Sequence, residues 1–389
     1  TPEFPDYAAT RYYSSDFTEK RMVSYFGRLG YNYKQRYLLE FTFRRDGSST
    51  FGEGNRWANF PSVAVGWSFS EEPFIKRLTG GWLNWGKIRG SYGKSGQTFT
   101  SAYLAHGLMN IMDKSFFGKT GITTDKPVSP YLTWEKTRQY DLGLDMDMFN
   151  YRLNVKLDYY YKYTSSLIYD IPIPGSLYAF GAQVENAMEI SNEGLELELQ
   201  ADILRESAVS WRMKFNMARN WNRFEKSYSG KDVVDGDGTL LVVGRPLNGL
   251  YVWAHRGYYN SDAEVPRLYK IDGQEIYFNG VATNGISGAV GDYRLLDLDG
   301  DGNPDSYYAG SPLPLAHGGW VNELMWKNFD LNVLVNFTIG RKMINNRMGL
   351  GFSRQSEDGH LTKLFDYRKL RPWDGVNKKP NAPAWGNSL

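Results

Sequence analysis

An acidic, glycine-rich run late in the chain has the spacing of a calcium-binding loop. The ligands that it offers are Asp297, Asp299, Asp301, Asn303 and Asp305. Carboxylates at alternate positions converge on a hard cation, and a glycine at the sixth place, Gly302, lets the chain turn sharply. The twelfth position is Tyr308 rather than the bidentate carboxylate of an EF-hand, and no flanking helices are evident. The run predicts either a Ca²⁺ site or an acidic turn that holds no ion.

Aromatic residues in the long connections are the candidates for ligand binding. They are Tyr178, Phe180, Tyr251, Trp253, Tyr258 and Tyr259. An aromatic face stacks on a sugar ring or on a peptide side chain, so these rings predict a substrate contact. The alternative is that they pack within their own loops.

Catalytic constellations are absent from the sequence. The four histidines, His106, His255, His317 and His360, are scattered one to a region, and there is no cysteine. Neither HExxH nor GxSxG occurs, and no isolated pair of carboxylates stands out. We therefore expect no enzyme activity.

Ten stretches of the chain have the side-chain period of a β-strand, and the candidate binding residues lie in the connections between them. In one of them, Tyr37, Leu39 and Phe41 alternate with Glu40 and Thr42, so one face is apolar and the other polar. The predicted strands span 21–34, 36–46, 60–69, 84–93, 138–149, 151–164, 192–202, 209–221, 317–327 and 329–338. Connections between them alternate between short and long, as in an outer-membrane barrel with tight turns at one rim and long loops at the other.

Composition limits the classes of protein that remain. With 389 residues, 41% hydrophobic, and a mean hydropathy of −0.51, the chain has no apolar run long enough for a membrane helix. Any spanning elements must be strands in a closed barrel. A net charge of +2 does not indicate nucleic acid. The 16% aromatic content suits the aromatic girdles of a barrel, although on composition alone a soluble sugar-binding β protein fits equally well.

The two faces of these strands predict different surroundings. The side chains expected in a barrel lumen are Arg28, Arg44, Lys87, Arg89, Arg138, Glu196, Glu198, Arg212 and Lys214. They either bind substrate or hold a plug, or simply reflect a polar lumen. The outward aromatics, expected to anchor the barrel at the lipid interfaces, are Tyr31, Tyr33, Tyr37, Trp67, Tyr159, Trp320 and Trp326. Between two strands, residues 70–83 predict one short helical turn capped by Ser70.

Ordered segments along almost the whole chain match one known family. They include SYFGRLGYNYKQRYL at 24–38, RRDGSSTF at 44–51, SEEPF at 70–74, KIRGSYG at 87–93, LTWEKT at 132–137, NEGLEL at 192–197, GRPLNGLY at 244–251 and DLDGDGNPD at 297–305. In sequence and order they resemble the barrel of the SusC/RagA family of TonB-dependent outer-membrane transporters.

The resemblance implies an all-β fold, an antiparallel transmembrane segment of a 22-stranded barrel with long extracellular loops. Residues 1–20 would lead into about ten strands over 21–338, and 339–389 would form an extracellular loop. The chain begins at Thr1 and holds no plug sequence or TonB box, so we expect a middle portion of a longer protein.

The resemblance also implies a function and a set of partners. The function is energised import of oligosaccharides or peptides across the outer membrane of a Gram-negative bacterium. The partners are a SusD-like surface lipoprotein, the TonB–ExbB–ExbD complex acting through a plug, and outer-membrane lipid. The alternatives are a passive porin or surface adhesin barrel, and a soluble carbohydrate-binding β domain.

Overall fold

Ten long strands form one antiparallel sheet in the computed structural model of the chain. The model describes residues 17–98, 102–103, 105–107, 109–116, 119–124, 127–178, 180–205, 207–234, 240–264, 268–269, 275–276, 290–291, 293–296, 298 and 305–344. The strands of the described residues are β1 (Met22–Tyr33), β2 (Tyr37–Ser48), β3 (Trp57–Trp67), β4 (Leu83–Gln97), β5 (Met109–Phe116), β6 (Lys119–Thr124), β7 (Glu135–Met148), β8 (Leu153–Pro172), β9 (Ala182–Leu204), β10 (Val209–Lys226), β11 (Val233–Val234), β12 (Leu240–Leu241), β13 (Leu250–Trp253), β14 (His255–Tyr258), β15 (Leu268–Tyr269), β16 (Glu275–Ile276), β17 (Tyr293–Leu295), β18 (Ser306–Gly310), β19 (Ala316–Trp326) and β20 (Phe329–Ile339). The sheet has the order β1-β2-β3-β4-β7-β8-β9-β10-β19-β20.

Smaller elements lie in the connections. The two-stranded ribbons are β5-β6, β11-β12, β13-β18, β14-β17 and β15-β16. Two short α-helices, α1 (Pro73–Thr79) and α2 (Gly175–Tyr178), accompany 3-10 turns at Phe69–Glu71 and Asp262–Glu264. No helix within the described ranges is long and apolar enough to cross a membrane. The chain divides into two compact units, of which one holds 1–237, 241–247 and 315–338, and the other holds 238–240, 248–314 and 339–389.

All ten predicted strands are present, in the predicted order. The main difference concerns β8 and β9, which continue their pairing to Pro172 and from Ala182. The long loop expected over 165–191 is therefore mostly a two-stranded extension with a short tip. Ile168, Ile171 and Val184 supply the β-branched residues that favour this extension.

Connections of two kinds alternate along the sheet. Tight turns at 34–36, 149–152, 205–208 and 327–328, together with the helical segment at 68–82, share one end, which we call the turn side. The connections 49–56, 98–134, 173–181 and 227–315 leave and rejoin the sheet at the other end of the strands, which we call the loop side. This alternation confirms the pattern that the sequence predicts.

The strand register separates two faces. Phe41 pairs with Leu29 and Val63, and Leu157 pairs with Leu144 and Leu197. We call the side that carries these residues the apolar face. Arg28, Glu40, Arg89, Asp145, Asp158 and Glu196 alternate with them on the opposite side, the charged face. Each face is continuous across the sheet because every strand keeps the period of two.

Two rows of aromatic rings border the apolar face. At the turn side, stacked pairs join Tyr33 to Tyr37, Trp82 to Phe149 and Trp326 to Phe329. At the loop side, Tyr25 stacks on Trp57 with ring centroids 6.0 Å apart, and Tyr92 packs against Tyr140 at 4.8 Å. Every outward aromatic predicted from the sequence lies on the apolar face. This arrangement is that of the interfacial girdles of a transmembrane barrel.

The largest buried cluster of the sheet unit lies at the loop side. This loop-side core consists of Phe51, Phe60, Leu132, Trp134 and Val184. The Trp134 ring is 1% exposed and lies 5.0 Å from the Phe51 ring, while its Nε1 donates to the carbonyl of Arg56 at 3.1 Å. Nothing in the strand pattern predicts this core, because its members come from connections and strand ends.

A cluster of hydrogen bonds around Glu72 stabilises the turn side, where α1 follows β3. Pro73 starts α1, and its N-cap residue is Glu72, so the expectation that Ser70 caps the helix is wrong. The buried Glu72 carboxylate instead accepts hydrogen bonds from the Tyr37 hydroxyl at 2.7 Å and the Trp67 indole at 3.4 Å, beside the Arg36 guanidinium. The Tyr37 hydrogen bond, above all, lowers the pKa of Glu72. The predicted helical turn is present, and Glu72 ties it to the β1-β2 hairpin.

Candidate functional site

An arginine between two aspartates lies at the centre of the charged face. The Nε of Arg89 donates to Oδ2 of Asp145 at 2.9 Å, and its Nη2 lies 2.7 Å from Oδ1 of Asp158. These residues come from β4, β7 and β8, so one guanidinium joins three neighbouring strands. The fork geometry of arginine suits such contacts with more than one carboxylate.

Gly143 makes the close approach of these charges possible. It stands opposite Arg89 and Asp158 in the register of β7. A Cβ at this position would lie 2.6 Å from Cζ of Arg89 and 2.8 Å from Oδ1 of Asp158. The sequence therefore needs glycine where the side chains of the neighbouring strands meet.

Further ion pairs extend along the charged face. They join Arg28 to Glu40, Lys156 to Glu198, Arg212 to Asp202 and Lys214 to Glu323. All four connect neighbouring strands. Lys156–Glu198 and Arg212–Asp202 stand directly across the ladder, where opposite charges attract one another, and the other two pairs are diagonal. The result is a surface of alternating hydrogen-bond donors and acceptors.

Small residues open a groove of about 480 Å³ beside this network. Gly30, Ala64 and Gly66 line its floor, since they occupy charged-face positions where larger side chains would fill the space. Glu40 and Arg89 border it. Such a groove offers both signs of charge to hydroxyl groups or to peptide amides, and equally to another segment of protein.

The sequence predicts most of the charged face but not the two aspartates that pair with Arg89. Eight of the nine residues predicted for the lumen lie on this face, but Arg138 does not. It shares the apolar face with Tyr140, two residues away, so its predicted lumen position is wrong. Asp145 and Asp158 are not among the residues predicted for the lumen, although their alternation with Leu144 and Leu157 places them on the polar side of their strands.

The second unit contains four of the predicted ligand aromatics. Tyr251 packs against Tyr308 with centroids 5.7 Å apart, in the ribbon of β13 and β18. Trp253 is 54% exposed, whereas Tyr259 is only 4% exposed. Trp253 thus presents a free ring face, and the burial of Tyr259 favours a packing role within its own loop.

Tyr258 belongs to a cluster of three rings in the ribbon of β14 and β17. The Tyr293 ring stacks on Tyr258 at 5.0 Å and lies 4.7 Å from the ring of His255. Burial, reinforced by Tyr293, raises the pKa of the Tyr258 hydroxyl above its usual value. This hydroxyl therefore remains a neutral hydrogen-bond donor at physiological pH.

The remaining ligand candidates belong to the connection between β8 and β9. Phe180 is half-buried near the end of this tip. Tyr178 is the last residue of α2, and its side chain lies outside the described residues. The structure therefore does not bring the six predicted aromatics into one described cluster.

Most of the predicted calcium loop lies outside the described residues. This applies to Asp297, Asp299, Asp301 and Asn303, while Asp305 is described. Oδ2 of Asp305 accepts a hydrogen bond from the backbone N–H of Leu298 at 2.5 Å. Within the part of the chain that is described, no group of three or more His, Cys, Asp or Glu residues is placed to hold a metal ion.

Comparison with known proteins assigns the chain to a family. Residues 1–308 match the family described as TonB dependent receptor-like, beta-barrel. TonB-dependent receptor P26 of Formosa agariphila is 34% identical over 97% of this chain and 37% of its own length. TonB-dependent receptor SusC of Bacteroides thetaiotaomicron is 30% identical over 93% of this chain and 35% of its own length. The chain thus spans little more than a third of these relatives.

A solved structure supports the fold independently. The RagAB peptide transporter superposes with a TM-score of 0.72 at 22% identity, over 100% of this chain and 41% of that one. At this identity the likeness concerns the fold alone. Members of the matched family are transporters and receptors of the outer membrane rather than enzymes. From its ten-stranded antiparallel sheet, its two faces and these matches, we conclude that the chain belongs to the TonB-dependent receptor-like β-barrel family.

Proposed function

We propose that this chain forms part of the wall of a TonB-dependent importer, with its apolar face toward lipid and its charged face toward the lumen. The observation that carries the proposal is the separation of an apolar face from a charged face across the sheet between the two aromatic girdles. The ion-paired face borders a groove lined by small residues with Glu40 and Arg89 at its edge, while the opposite face carries Leu29, Phe41 and Leu157 between two aromatic girdles. A soluble domain has no use for such a surface, because it would expose the girdles to water.

The edges of the sheet support a larger barrel. Within the described residues, β1 pairs only with β2, and β20 is the last strand after β19. An unpaired edge in lipid leaves backbone groups without partners at a cost of several kcal/mol each. Further strands of the same barrel would pair with both edges.

The substrate class that we propose is an oligosaccharide or a peptide, taken up together with a SusD-like surface lipoprotein and driven by the TonB complex. Support comes from two matches: SusC as a relative by sequence, and a peptide transporter as a relative by fold. The groove on the charged face suits both classes, since hydroxyls and amides each exchange hydrogen bonds with carboxylates and guanidinium groups.

Uptake by the full-length protein tests this function. We expect cells to accumulate a labelled oligosaccharide or peptide pool only when TonB is present, and purification to recover the lipoprotein with the barrel. A passive porin would continue uptake after TonB is deleted, and a surface adhesin would show no uptake in either strain. Either result would refute the proposal.

We also propose that Trp253 and Tyr251 contact the substrate from the second unit. The double variant Tyr251→Ala with Trp253→Ala should bind the transported ligand more weakly, by about 1 kcal/mol or more for each lost ring contact. Calorimetry on the full-length protein measures this effect, and Tyr259→Phe serves as the control because Tyr259 is buried. Unchanged affinity in the double variant would exclude these two residues.

The calcium loop at 297–305 remains a proposal that its ligand spacing supports. Calorimetric titration of the chelator-treated protein with Ca²⁺ should show one binding event, which Asp299→Asn with Asp301→Asn should remove. The absence of any binding event, together with no anomalous scattering at the loop, would identify it as an acidic turn without an ion.

A further inference from the structure

Three cations lie on the apolar face at the loop side, where lipid-facing charges are unexpected. Lys94 and Arg138 pair in the register of β4 and β7, and Lys136 follows two residues away on the same face. The preceding pair on this face is Tyr92 and Tyr140. We call Lys94, Lys136 and Arg138 the rim cluster.

The rim cluster differs from the cations of the charged face in having no acidic partner among the described residues. All three side chains are exposed, and none forms an ion pair with any described residue. On the charged face, by contrast, ion pairs neutralise Arg28, Arg89, Lys156, Arg212 and Lys214. The positive charge of the cluster is therefore available to an external anion.

The height of the cluster on the barrel wall matches that of lipid headgroups. Interfacial tyrosines mark the boundary between hydrocarbon and headgroups. A strand rises about 6.8 Å over two residues, which is about 5 Å of height at the usual strand tilt of a barrel. Arg138 and Lys94 lie one such step beyond the tyrosine row and Lys136 lies two steps beyond. This is the level at which headgroup phosphates lie, outside the hydrocarbon.

A groove of about 330 Å³ gives the cluster a defined binding surface. β3 pairs with β4 only from Ser62 to Trp67, so the strands separate toward the loop side, and the groove occupies this gap. Besides the three cations, Trp57, Asn59 and Ser165 line it, and no carboxylate does. Arg45 adds a fourth positive charge, since its guanidinium lies 5.2 Å from the Trp57 ring centroid.

We propose that this groove binds the phosphorylated headgroup of a lipid in the outer leaflet. Arginine and lysine supply charge-assisted hydrogen bonds to phosphate oxygens, Asn59 adds a neutral donor, and the Trp57 ring covers the sugar or glycerol part of the headgroup. A free solute is a poorer occupant, because the groove opens on the face that we assign to lipid. The proposal therefore depends on that assignment, and not on the identity of the transported substrate.

Binding of lipid A to the full-length protein in nanodiscs tests the proposal. The protein is reconstituted in phosphatidylcholine with a small fraction of bis-phosphorylated lipid A or of its dephosphorylated form, and bound lipid is counted by native mass spectrometry. We expect retention of the phosphorylated form only. Equal retention of both forms would overturn the proposal without any variant being needed.

A triple variant, Lys94→Gln with Lys136→Gln and Arg138→Gln, locates the site. It should bind phosphorylated lipid A on the order of 100-fold more weakly, since each cation near a charged membrane surface contributes a factor of about five. The matched control, Arg219→Gln with Arg223→Gln, removes cations of the same face outside the groove and should retain binding. Equal binding by the triple variant and the wild type, or equal loss in the control, would overturn the proposed site.

Discussion

The spanning part of the sheet and its loop side are stabilised in different ways. Between the two aromatic girdles the sheet unit buries few side chains, because one face is apolar and exposed and the other carries ion pairs. At the loop side, Trp134 and Phe51 belong to a fully buried core like that of a soluble protein. The first region therefore depends on the solvents outside it, whereas the second carries its own hydrophobic interior.

This difference determines how each region should respond to substitution. Removing a ring from the loop-side core should be destabilising in detergent and in a bilayer alike. Placing a charge on the apolar face should be destabilising mainly where hydrocarbon is present. The following changes, in order of decreasing expected effect, test the distinction in the full-length protein.

Trp134→Ala should lower the free energy of unfolding by about 3–5 kcal/mol, because it leaves a cavity between Phe51 and Phe60 and removes the hydrogen bond to Arg56. Urea titration followed by the heat-dependent gel mobility of the barrel measures the loss in both detergent and lipid. Trp253→Ala, at an exposed ring, is the control and should change stability by less than about 0.5 kcal/mol. A loss in lipid only would contradict the self-contained core.

Leu157→Arg should cost about 2–4 kcal/mol in a bilayer, since Leu157 lies in the middle of the apolar face. The penalty should be much smaller in detergent, where water reaches the guanidinium more easily. Ala218→Arg is the matched variant on the charged face, opposite Glu196, and should be tolerated. Equal penalties for the two variants would show that the faces are assigned incorrectly.

Gly143→Ala should cost about 1–3 kcal/mol, because its Cβ would overlap the guanidinium of Arg89. The same urea titration measures this loss. Gly30→Ala also adds a methyl group to the charged face, but nothing lies within 4 Å of its position. If both variants were equally stable, the packing of Arg89 against Gly143 would not matter to the spanning sheet.

Glu72→Gln should change the pH dependence of unfolding, with the smallest effect of the four. The folded protein lowers the pKa of Glu72, so the ionised carboxylate stabilises the fold at neutral pH, and this contribution is lost as the pH falls below about 4.5. Thermal unfolding should show the wild type losing more stability than the variant between pH 7 and pH 3. Glu71→Gln is the control, because the exposed Glu71 pairs only with Lys76 among the described residues.

The strands and faces could be predicted because a period of two is a local property of the sequence. The face on which Leu39 and Phe41 lie follows from their alternation with polar neighbours, and the ten strands of the sheet lie side by side in chain order. The predicted lumen position of Arg138 is wrong because Arg138 keeps the period of two with Tyr140, which lies on the apolar face. Near the rim of a barrel, charge no longer distinguishes the two faces, since headgroups accept cations.

The loop-side core and the pairing of charges could not be predicted from local patterns. Trp134 and Phe51 meet only when distant connections fold together, and no periodicity reports such contacts. Arg89 could be placed on its face, but the choice of Asp145 and Asp158 as partners depends on register between strands. At the start of α1, likewise, the contact between the Glu72 carboxylate and the Tyr37 hydroxyl joins separate segments of the chain and leaves no local pattern.

The loop-side core joins residues that lie far apart in the sequence, and this separation affects the order in which the chain folds. The core brings Phe51 together with Val184, whereas the hairpins of the sheet join neighbouring strands through tight turns. Closing a long segment costs more chain entropy than closing a hairpin. We therefore expect the hairpins to form early and the ring of Trp134 to become shielded last, so its fluorescence would report the final stage of folding.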